Sequence, residues 1–529
     1  MRLIKSTAII GTLTLFSRIL GLVRDTLMTR YLGAGPITDA LITAFKIPNT
    51  FRRIFAEGAF NAAFVPLYAR RIEDGKEGEA DTFASEAMAA LFVLVAGIVI
   101  VFEMTMPWTL NLFGIGLDRT PLEVGATFPA NLSPYDLAVV CAQITMPYLL
   151  LMSLTALFSG ILNTRHHFAV AAFTPVLLNI VLIGVLFLMS QAGWSLSLLT
   201  LFLCAGMTLS GVFQIVLVFW ACKQAGVNLR LKRPRLTPGV RRLFVLGVPG
   251  MLAAGVTHIN IMVSNTIATL QDSAASWLYW ADRLYQLPLG MIGIAMGVAL
   301  LPSLARSLRA GDEQGAKNSL NRAMEISAIL TLPAAFALAV MPEFLISGLF
   351  ERGAFDHADT IATGQALRMF AFGLPAFVLI KVLTPAFFAR ENTKTPMIYA
   401  AISAVLNLVL GYALFIKVGF WGLAVATSVA AWVNVFCLTY ALLKSGDFAP
   451  DKRLISRLPR IILASAAMGV GVYWLSTHFT DGLGHGFIQN YFLMALVSGL
   501  GLCLYALTAF VLRAYTLSDI RNTFPKRKT

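Results

Sequence analysis

The sequence predicts an all-α, polytopic membrane protein with about 14 transmembrane helices and with its N- and C-termini in the cytoplasm. Three observations predict this fold class: an apolar composition, a series of apolar windows long enough to cross a bilayer, and an uneven distribution of lysine and arginine between those windows. A weak internal repeat further predicts two pseudo-symmetric six-helix lobes, followed by two C-terminal helices.

The composition excludes an ordinary soluble domain. Of 529 residues, 57% are hydrophobic and 13% are charged, whereas soluble domains usually carry about 25% charged residues. A chain of this length cannot hide so much apolar surface from water, so its solvent must be lipid. Five cysteines are scattered through apolar runs without a CxxC pair, which is typical of reduced core residues and not of a disulfide framework.

Fourteen windows approach the roughly 20 mostly apolar residues that a spanning helix needs. The N-terminus begins like a signal peptide, but Arg18 interrupts its apolar run, so we expect it to stay attached as the first helix. Residues 1–222 form the predicted N-lobe, 223–444 the C-lobe, and 445–529 the two C-terminal helices and a basic cytoplasmic tail. The windows lie near residues 8–32, 37–62, 84–110, 136–162, 168–189, 196–221, 243–269, 274–304, 323–346, 361–389, 396–416, 420–443, 461–477 and 489–512.

Lysine and arginine set the predicted orientation. With the N-terminus inside, the cytoplasmic segments hold 29 of the 41 basic residues and the outside segments hold 3. This asymmetry follows the positive-inside rule, and an error of one span would scramble it. The net charge of +14 is therefore mainly topological. The basic loop at 223–242 accordingly predicts an orientation anchor that touches anionic lipid, and not a nucleic-acid site.

Two motifs occur twice and in the same order. A Pro-Ala-Arg-Gly pattern is found at 66–75 and 302–311, and an Asn-Thr-Arg/Lys triplet followed by a Leu-Asn run is found at 163–182 and 392–410. Each motif follows the second or fourth helix of a six-helix set. The halves should therefore insert with the same orientation, as in transporters related by an axis along the membrane normal, with a binding site between the lobes near the midplane.

Charged residues inside the predicted spans mark the candidate site. A charge at the bilayer centre costs at least about 2.5–3.5 kcal/mol on insertion scales, so these residues should face a wet cavity. In helices 1 and 2 several of these residues are seven positions apart, which places their side chains on the same face of the helix. Pro48 should break or kink helix 2. The residues are Arg18, Arg24 and Asp25 in helix 1, Asp39, Lys46, Asn49, Arg52, Arg53 and Glu57 in helix 2, and Asp282 and Arg283 in helix 8.

The excess of cations predicts an anion trap. Arginine makes bidentate contacts with phosphate oxygens, which compete with water better than a single point charge does. Two structural alternatives stay open: Asp39 also suits a helix N-terminus, and Arg53 with Glu57 also suits an i,i+4 ion pair. We assign substrate binding to Arg18, Arg24, Arg52, Arg283, Asn49, Lys46 and Arg53, and gating or cavity roles to Asp25, Asp39, Glu57 and Asp282.

Enzyme and metal motifs are missing from the sequence. There is no Walker loop, no HExxH and no cluster of metal ligands, so we expect no enzyme activity, no metal and no cofactor. Coupling to the membrane potential and coupling to a monovalent ion both stay open as the drive. A membrane enzyme would need acidic metal ligands or a nucleophile, and the acidic loop at 73–81 is better interpreted as a solvated charge run.

The sequence resembles the MurJ (MviN) family of bacterial lipid II flippases along essentially its whole length. The resemblance is carried by SRILGLVRD at 17–25, TDALITAFKIPNTFRRIFAEGAFNAAFVPLYA at 38–69 and YWADRLYQLPLGMIGIAMGVALLPSLAR at 279–306. It implies the fold of the multidrug/oligosaccharidyl-lipid/polysaccharide exporter superfamily, with two six-helix lobes in a V. It also implies that helices 13 and 14 form a groove for the lipid tail. The cavity residues that it implies are Arg18, Arg24, Arg52, Arg283 and the acid Asp39.

The resemblance implies a function in peptidoglycan synthesis. Lipid II, an undecaprenyl-pyrophosphate carrying a disaccharide-pentapeptide, would be moved by alternating access to the outer leaflet of the bacterial cytoplasmic membrane. Some relatives have a sodium site built around acidic residues in the C-lobe. Helix 7 here offers His258, Asn260 and Asn265 but no Asp or Glu, so that site is not transferred.

The expected partners are lipid II and membrane lipids, with no nucleic acid. A monomer should suffice because both lobes lie in one chain, and association with the cell-wall synthesis machinery stays open. Two alternatives of the same fold remain: a flippase for another polyprenyl-linked oligosaccharide, and a drug or cation antiporter. The antiporter should have an acidic cavity, whereas the sequence predicts a basic one.

Overall fold

The structure, a computed structural model of the chain, describes residues 2–54, 59–120, 132–193, 195–230, 232–483 and 486–515. Over these residues the secondary structure is helical, without β-strands. Proline begins several of the helices, because its missing N–H needs no partner in the first turn. The α-helices are α1 (Arg2–Leu32), α2 (Pro36–Arg52), α3 (Ala59–Glu73), α4 (Glu77–Phe113), α5 (Pro134–Thr145), α6 (Pro147–Thr164), α7 (Phe168–Ala192), α8 (Leu196–Gln224), α9 (Pro238–Ala268), α10 (Ala274–Pro288), α11 (Ile294–Arg309), α12 (Glu313–Val340), α13 (Pro342–Phe350), α14 (His357–Phe388), α15 (Lys394–Val418), α16 (Trp421–Lys444), α17 (Lys452–Phe479) and α18 (Phe487–Val511).

Ten helical segments of the described chain are long and apolar enough to cross a membrane. They coincide with predicted spans 3–6 and 9–14, so the predicted fold class, an all-α multi-pass membrane protein, is confirmed. The described parts of the four other predicted spans are helical as well and correspond to α1, to α2 with α3, to α9, and to α10 with α11. The count of 14 spans and the orientation of the termini stay predictions.

Large apolar side chains cover much of the exposed surface of the helices. On α15, for example, Ile402, Val405, Val409 and Ile416 are exposed at helical spacing, whereas Asn407 on the opposite face is buried. A soluble helix would show the reverse pattern, with its apolar stripe turned inward. The exposed apolar faces are therefore suited to contact with lipid chains.

Two of the predicted spans are interrupted at matching positions of the sequence repeat. After α2, residues 53–54 are π-helical, and α10 is followed by a π-helix at Leu289–Gly293. Arg53 precedes Pro66, and Leu289 precedes Pro302, by the same 13 residues. Pro48 itself lies inside α2, which continues to Arg52 before the interruption. Because π-turns are rare and concentrate at functional sites, their recurrence supports the repeat independently of the sequence motifs.

The chain divides into two compact units, Met1–Ser276 and Trp277–Thr529. Unit 1 contains α1 to α9 and the beginning of α10, and unit 2 contains the rest. Within unit 1, α9 packs against α2, α3 and α4, although the repeat assigns this helix to the predicted C-lobe. The helix that a residue packs against does not show which copy of the repeat the residue belongs to. The lobe boundaries at 222 and 444 therefore stay predictions.

A buried ion pair connects several helices at the end of unit 1 that the sequence predicts to be cytoplasmic. Arg165, at the end of α6, donates from Nη2 to Asp81 Oδ1 of α4 at 3.2 Å and from Nε to the hydroxyl of Tyr68 of α3 at 3.3 Å. The two charged side chains are only 14% and 12% exposed. Burial raises the pKa of Tyr68 to about 12, so the phenol stays protonated and donates to Asp81.

The basic loop between α8 and α9 lies along the first turns of α4. The backbone N–H of Asn228 donates to Asp81 at 2.8 Å, that of Arg230 to Ser85 at 3.1 Å, and the hydroxyl of Thr237 to Glu86 at 2.8 Å. The interpretation of residues 73–81 as a solvated charge run is therefore wrong for Asp81, which is buried.

Replacing Asp81 by alanine should destabilise the protein. The change removes the buried carboxylate that Arg165 binds and leaves it only the exposed Glu77, 3.7 Å away; breaking a buried pair in this way typically costs about 3–5 kcal/mol. We expect a lower midpoint of thermal unfolding in detergent, followed by intrinsic fluorescence. Glu79→Ala is the matched control, because Glu79 pairs with Lys76 at the exposed surface, where such pairs contribute at most about 1 kcal/mol. Equal midpoints for the two variants would contradict the assignment of Asp81 as a structural anchor.

Candidate anion-binding site

Arg24 is held between α1 and α7 by two side chains. Its Nε and Nη2 donate to Oδ1 of Asp25 at 3.0 and 2.6 Å, and its Nη1 donates to Oδ1 of Asn179 at 3.0 Å. The amide of Asn179 in turn donates to the backbone carbonyl of Ser17 at 2.9 Å, which fixes its orientation. The Arg24 side chain is 11% exposed. Its guanidinium is thus oriented in advance and partly neutralised by Asp25, so an incoming anion competes with that carboxylate.

Asp39 connects α2 to the beginning of α10. It is 3% exposed and accepts hydrogen bonds from the backbone N–H of Ser276 at 2.8 Å and from the Ser276 hydroxyl. Ser276 is the third residue of α10, where backbone N–H groups have no intrahelical acceptor and the helix dipole favours a negative charge. Asp39 lies in the first turn of its own helix as well, so it serves two helix N-termini at once.

Lys46 connects α2 to α9. Its ammonium donates to the side-chain oxygen of Asn265, and the amide of Asn265 donates to the hydroxyl of Thr43 at 3.2 Å. One turn further along α2, Arg52 donates from Nε and Nη2 to Oδ1 of Asn49 at 3.1 and 3.0 Å. Two of the predicted cations of α2, Lys46 and Arg52, are therefore oriented by neutral amide groups.

The remaining predicted residues fall into three groups. Arg18 on α1 and Arg53 in the π-turn are half-buried. Arg283 and Asp282 lie on α10 in unit 2, where Arg283 donates to the Tyr279 hydroxyl and stacks 4.7 Å from its ring centre, and Asp282 accepts from Gln286. Glu57 lies outside the described residues.

The charge balance of the site in unit 1 is positive. Its described, sequence-predicted members include five cations and two carboxylates, and both carboxylates are buried and hydrogen-bonded. This arrangement favours an anionic ligand, because fixed guanidinium groups in a region of low dielectric bind phosphate oxygens strongly. The cations are Arg18, Arg24, Lys46, Arg52 and Arg53, and the carboxylates are Asp25 and Asp39.

The sequence analysis missed the neutral partners of these charges. Asn179 and Asn265 carry no charge and lie in strongly apolar helices, so the search for intramembrane charges passed over them. One signal did point to Asn179, because it belongs to the repeated Leu-Asn run. Its counterpart in the second copy, Asn407, is also buried and accepts a hydrogen bond from Thr427 at 3.2 Å. Glu103, a half-buried acid within α4, was missed as well.

Comparison with known proteins identifies the family. The family model described as lipid II flippase MurJ matches residues 28–494. A probable lipid II flippase MurJ of Rhizobium meliloti is 43% identical over 481 residues, which cover 90% of this chain and 88% of the relative. A solved lipid II flippase MurJ in an inward closed conformation matches with a TM-score of 0.75 and 27% identity, over 95% of this chain and 98% of that one. A solved inward-facing multidrug resistance transporter of the MATE family, in the MOP superfamily, shares the fold with a TM-score of 0.69 and 14% identity, over 83% of this chain and 98% of that one.

The family resemblance deduced from the motifs in helices 1, 2 and 8 is thereby confirmed. The matched region includes the end of α1, all of α2 and the α10–α11 segment. Together with the ten helices of spanning length, the match leads to one conclusion. The chain belongs to the lipid II flippase MurJ family and is a multi-pass protein of the bacterial cytoplasmic membrane.

Proposed function

We propose that this protein moves lipid II from the inner to the outer leaflet by alternating access, and that the cations of α1 and α2 bind its pyrophosphate. The observation that carries the proposal is the excess of positive charge in unit 1, held in place by neutral amides. A pyrophosphate is dianionic or more highly charged and offers several oxygens in a small volume, which suits a set of arginine forks. A drug or cation antiporter would need the opposite charge.

Arg24 supplies the exchange step of this mechanism. With no substrate, Asp25 is the counterion of Arg24, so the buried charge is compensated. The pyrophosphate replaces Asp25 on the guanidinium and offers more acceptor oxygens than one carboxylate. Asn179 keeps the guanidinium oriented during the exchange, because its own position is fixed by Ser17. Substrate binding therefore changes the partner of Arg24 without leaving the cation unpaired.

The contacts of α2 couple this binding step to movement. Asp39 and Lys46 hold α2 against α10 and α9 through single hydrogen-bonded side chains. Neutralising the cations at Arg52 and Arg53 removes their mutual repulsion, which changes the balance of forces along the same helix. We assign to these contacts the role of a gate that opens and closes as α2 shifts. Arg283, in unit 2, keeps its sequence-predicted role in substrate binding.

The drive is part of the proposal. A site with net positive charge is drawn toward the negative interior once the substrate has left, since each elementary charge gains about 2.3 kcal/mol per 100 mV. The membrane potential would thus return the empty protein, and a coupled monovalent ion is the alternative. The protein acts as a transporter without a catalytic step, and one chain forms the working unit.

A second cargo shares the same phosphate chemistry. Other polyprenyl-linked oligosaccharides carry a phosphate or pyrophosphate next to the lipid tail, and the cations of α1 and α2 contact that part of the molecule. The distinction between the two cargoes therefore depends on the glycan and is settled by direct assay.

Replacing Arg24 by alanine should abolish transport. In cells depleted of their own flippase, the wild-type chain should restore exposure of lipid II on the outer face, and Arg24→Ala should leave it at the depleted level. Arg24→Lys should be intermediate, because lysine keeps the charge and loses the fork. Arg30→Ala is the control on the same helix, since Arg30 is exposed near its end.

Full activity of Arg24→Ala at equal protein level would eliminate the cationic site as the binding element. A wild-type chain that inserts correctly and yet restores no lipid II would instead eliminate this cargo. The same cells supplied with another polyprenyl-linked sugar would then test the second cargo.

Replacing Asn179 by aspartate should inhibit transport more strongly than replacing it by alanine. The alanine variant loses one hydrogen bond to a charged group, which corresponds to about a ten- to hundredfold fall in rate. The aspartate variant places a second carboxylate within 3.0 Å of Arg24, and this carboxylate competes with the substrate. The exposed Asn392→Asp is the matched control. Equal effects of the two Asn179 variants would show that the anion does not compete for Arg24.

A further inference from the structure

A buried carboxylate of α12 is surrounded by three arginines. Glu325 is 2% exposed. Arg453 binds it in a bidentate way, with Nε 3.0 Å from Oε2 and Nη2 3.1 Å from Oε1, and Arg457 donates from Nη1 to Oε1 at 2.6 Å. Arg322, on the same helix, completes the set. Arg453 and Arg457 belong to the first turns of α17, so charge-assisted hydrogen bonds join α17 to α12.

The same turn of α12 also fixes the backbone at the beginning of α17. The amide of Asn321 donates to the carbonyl of Ala449 at 2.9 Å, and its oxygen accepts from the N–H of Asp451 at 3.2 Å. Asp451 caps α17 by accepting from the N–H of Leu454 at 2.7 Å, and Arg322 binds its other oxygen. Both the position and the starting residue of α17 are therefore set by α12.

The second helix of the pair, α18, is attached to α12 at a proline. Pro333 has no N–H, so the carbonyl of Ile329 lacks its intrahelical donor. The hydroxyl of Tyr505 on α18 donates to this carbonyl at 2.8 Å, and Tyr505 is buried. Leaving a carbonyl unsatisfied in lipid is costly, so the proline of one helix creates a specific attachment point for another.

Packing extends the attachment along α12. Gly469 of α17 lies so near Phe336 that an added Cβ would be 3.3 Å from the ring. The opposite faces of α17 and α18 carry exposed apolar side chains, among them Val470, Trp474 and Leu502, and residues 461–477 and 489–512 contain no Asp, Glu, Lys or Arg. One side of the pair is thus bound to α12, and the other is suited to a hydrocarbon chain.

We propose that Glu325 and Tyr505 are positioning residues, which fasten α17 and α18 to α12 so that the three helices move as one body. The polyprenyl tail, bound along α17 and α18, then crosses the membrane together with the headgroup. The inference rests on the proposed function and concerns the tail rather than the pyrophosphate. Only the short segment 445–451 joins α16 to α17 covalently. Without the contacts of Glu325 and Tyr505, α17 and α18 would therefore not follow the movement of the rest of unit 2 during transport.

The test compares two substrates in proteoliposomes that contain the full-length protein. The substrates are lipid II analogues with an undecaprenyl tail and with a tail of two or three isoprene units, which is too short to follow the pair. The variants are Glu325→Gln, which keeps the shape and removes the charge, and Tyr505→Phe, which removes only the hydroxyl. The matched controls are Glu313→Gln at the exposed start of α12 and Tyr440→Phe on the exposed surface of α16.

We expect both variants to transport the short-tailed analogue like the wild type and the long-tailed one at least about tenfold more slowly. Tyr505→Phe loses a buried hydrogen bond with its partner left in place, and Glu325→Gln removes the charge that the three arginines share. An unchanged ratio of the two rates would overturn the proposal. Equal losses for both substrates would overturn it too, because they indicate a structural role alone. If the wild type moves neither substrate, the proposed function itself is wrong.

Discussion

Polar groups inside a bilayer must find partners within the protein, and this constraint determines how the helices of this transporter hold together. Hydrocarbon offers no hydrogen bonds, so each exposed donor, acceptor or charge would cost several kcal/mol. The consequences are visible even at single backbone atoms. Pro107 deprives the carbonyl of Glu103 of its helical donor, and the amide of Gln143 on α5 donates to it at 3.3 Å. Tyr505 does the same for the carbonyl that Pro333 leaves open. Proline thus disrupts one helix and, in doing so, specifies its neighbour.

Charged groups follow the same constraint in two distinct ways. Asp81 and Glu325 each accept hydrogen bonds from several donors on different segments, so their loss would leave more than one group unsatisfied. Such clusters exchange partners slowly and suit permanent joints. Asp25 and Arg24, by contrast, are neighbours on one helix, and Asn179 maintains the orientation of the guanidinium separately. In the proposed mechanism an external anion replaces Asp25 while Arg24 keeps its contact with α7. Structural ion pairs thus join different segments, whereas the pair assigned to transport lies within one helix.

Much of the fold could be predicted from the sequence because hydropathy and the distribution of basic residues are local, additive signals. The charges that mark the site were also accessible, since burial in lipid makes every one of them conspicuous. Their partners were not. Ser276 lies 237 residues from Asp39, and Asn179 lies 155 residues from Arg24, and neither residue type stands out in an apolar helix. Asp81 was misinterpreted for a related reason: its counterion, Arg165, is 84 residues away, so the acidic run looked solvated. Pro48 did indicate an irregular helix, but the π-turn follows five residues later, where the backbone can lengthen without breaking the preceding turn.

The two copies of the repeat preserve backbone irregularities and a buried asparagine but differ in charge. Both copies interrupt their second helix 13 residues before a proline, and both bury an asparagine in the fifth helix, Asn179 and Asn407. The first helix of the first copy contains Arg18 and Arg24. The first helix of the second copy, α9, contains no Asp, Glu, Lys or Arg within the predicted span 243–269. A backbone interruption provides a hinge, and a hinge serves alternating access in whichever half it lies. Recognition of an anion needs charge in one place only. Duplication could therefore supply the moving parts of both halves, while substitutions in the first helices of one half supplied the specificity.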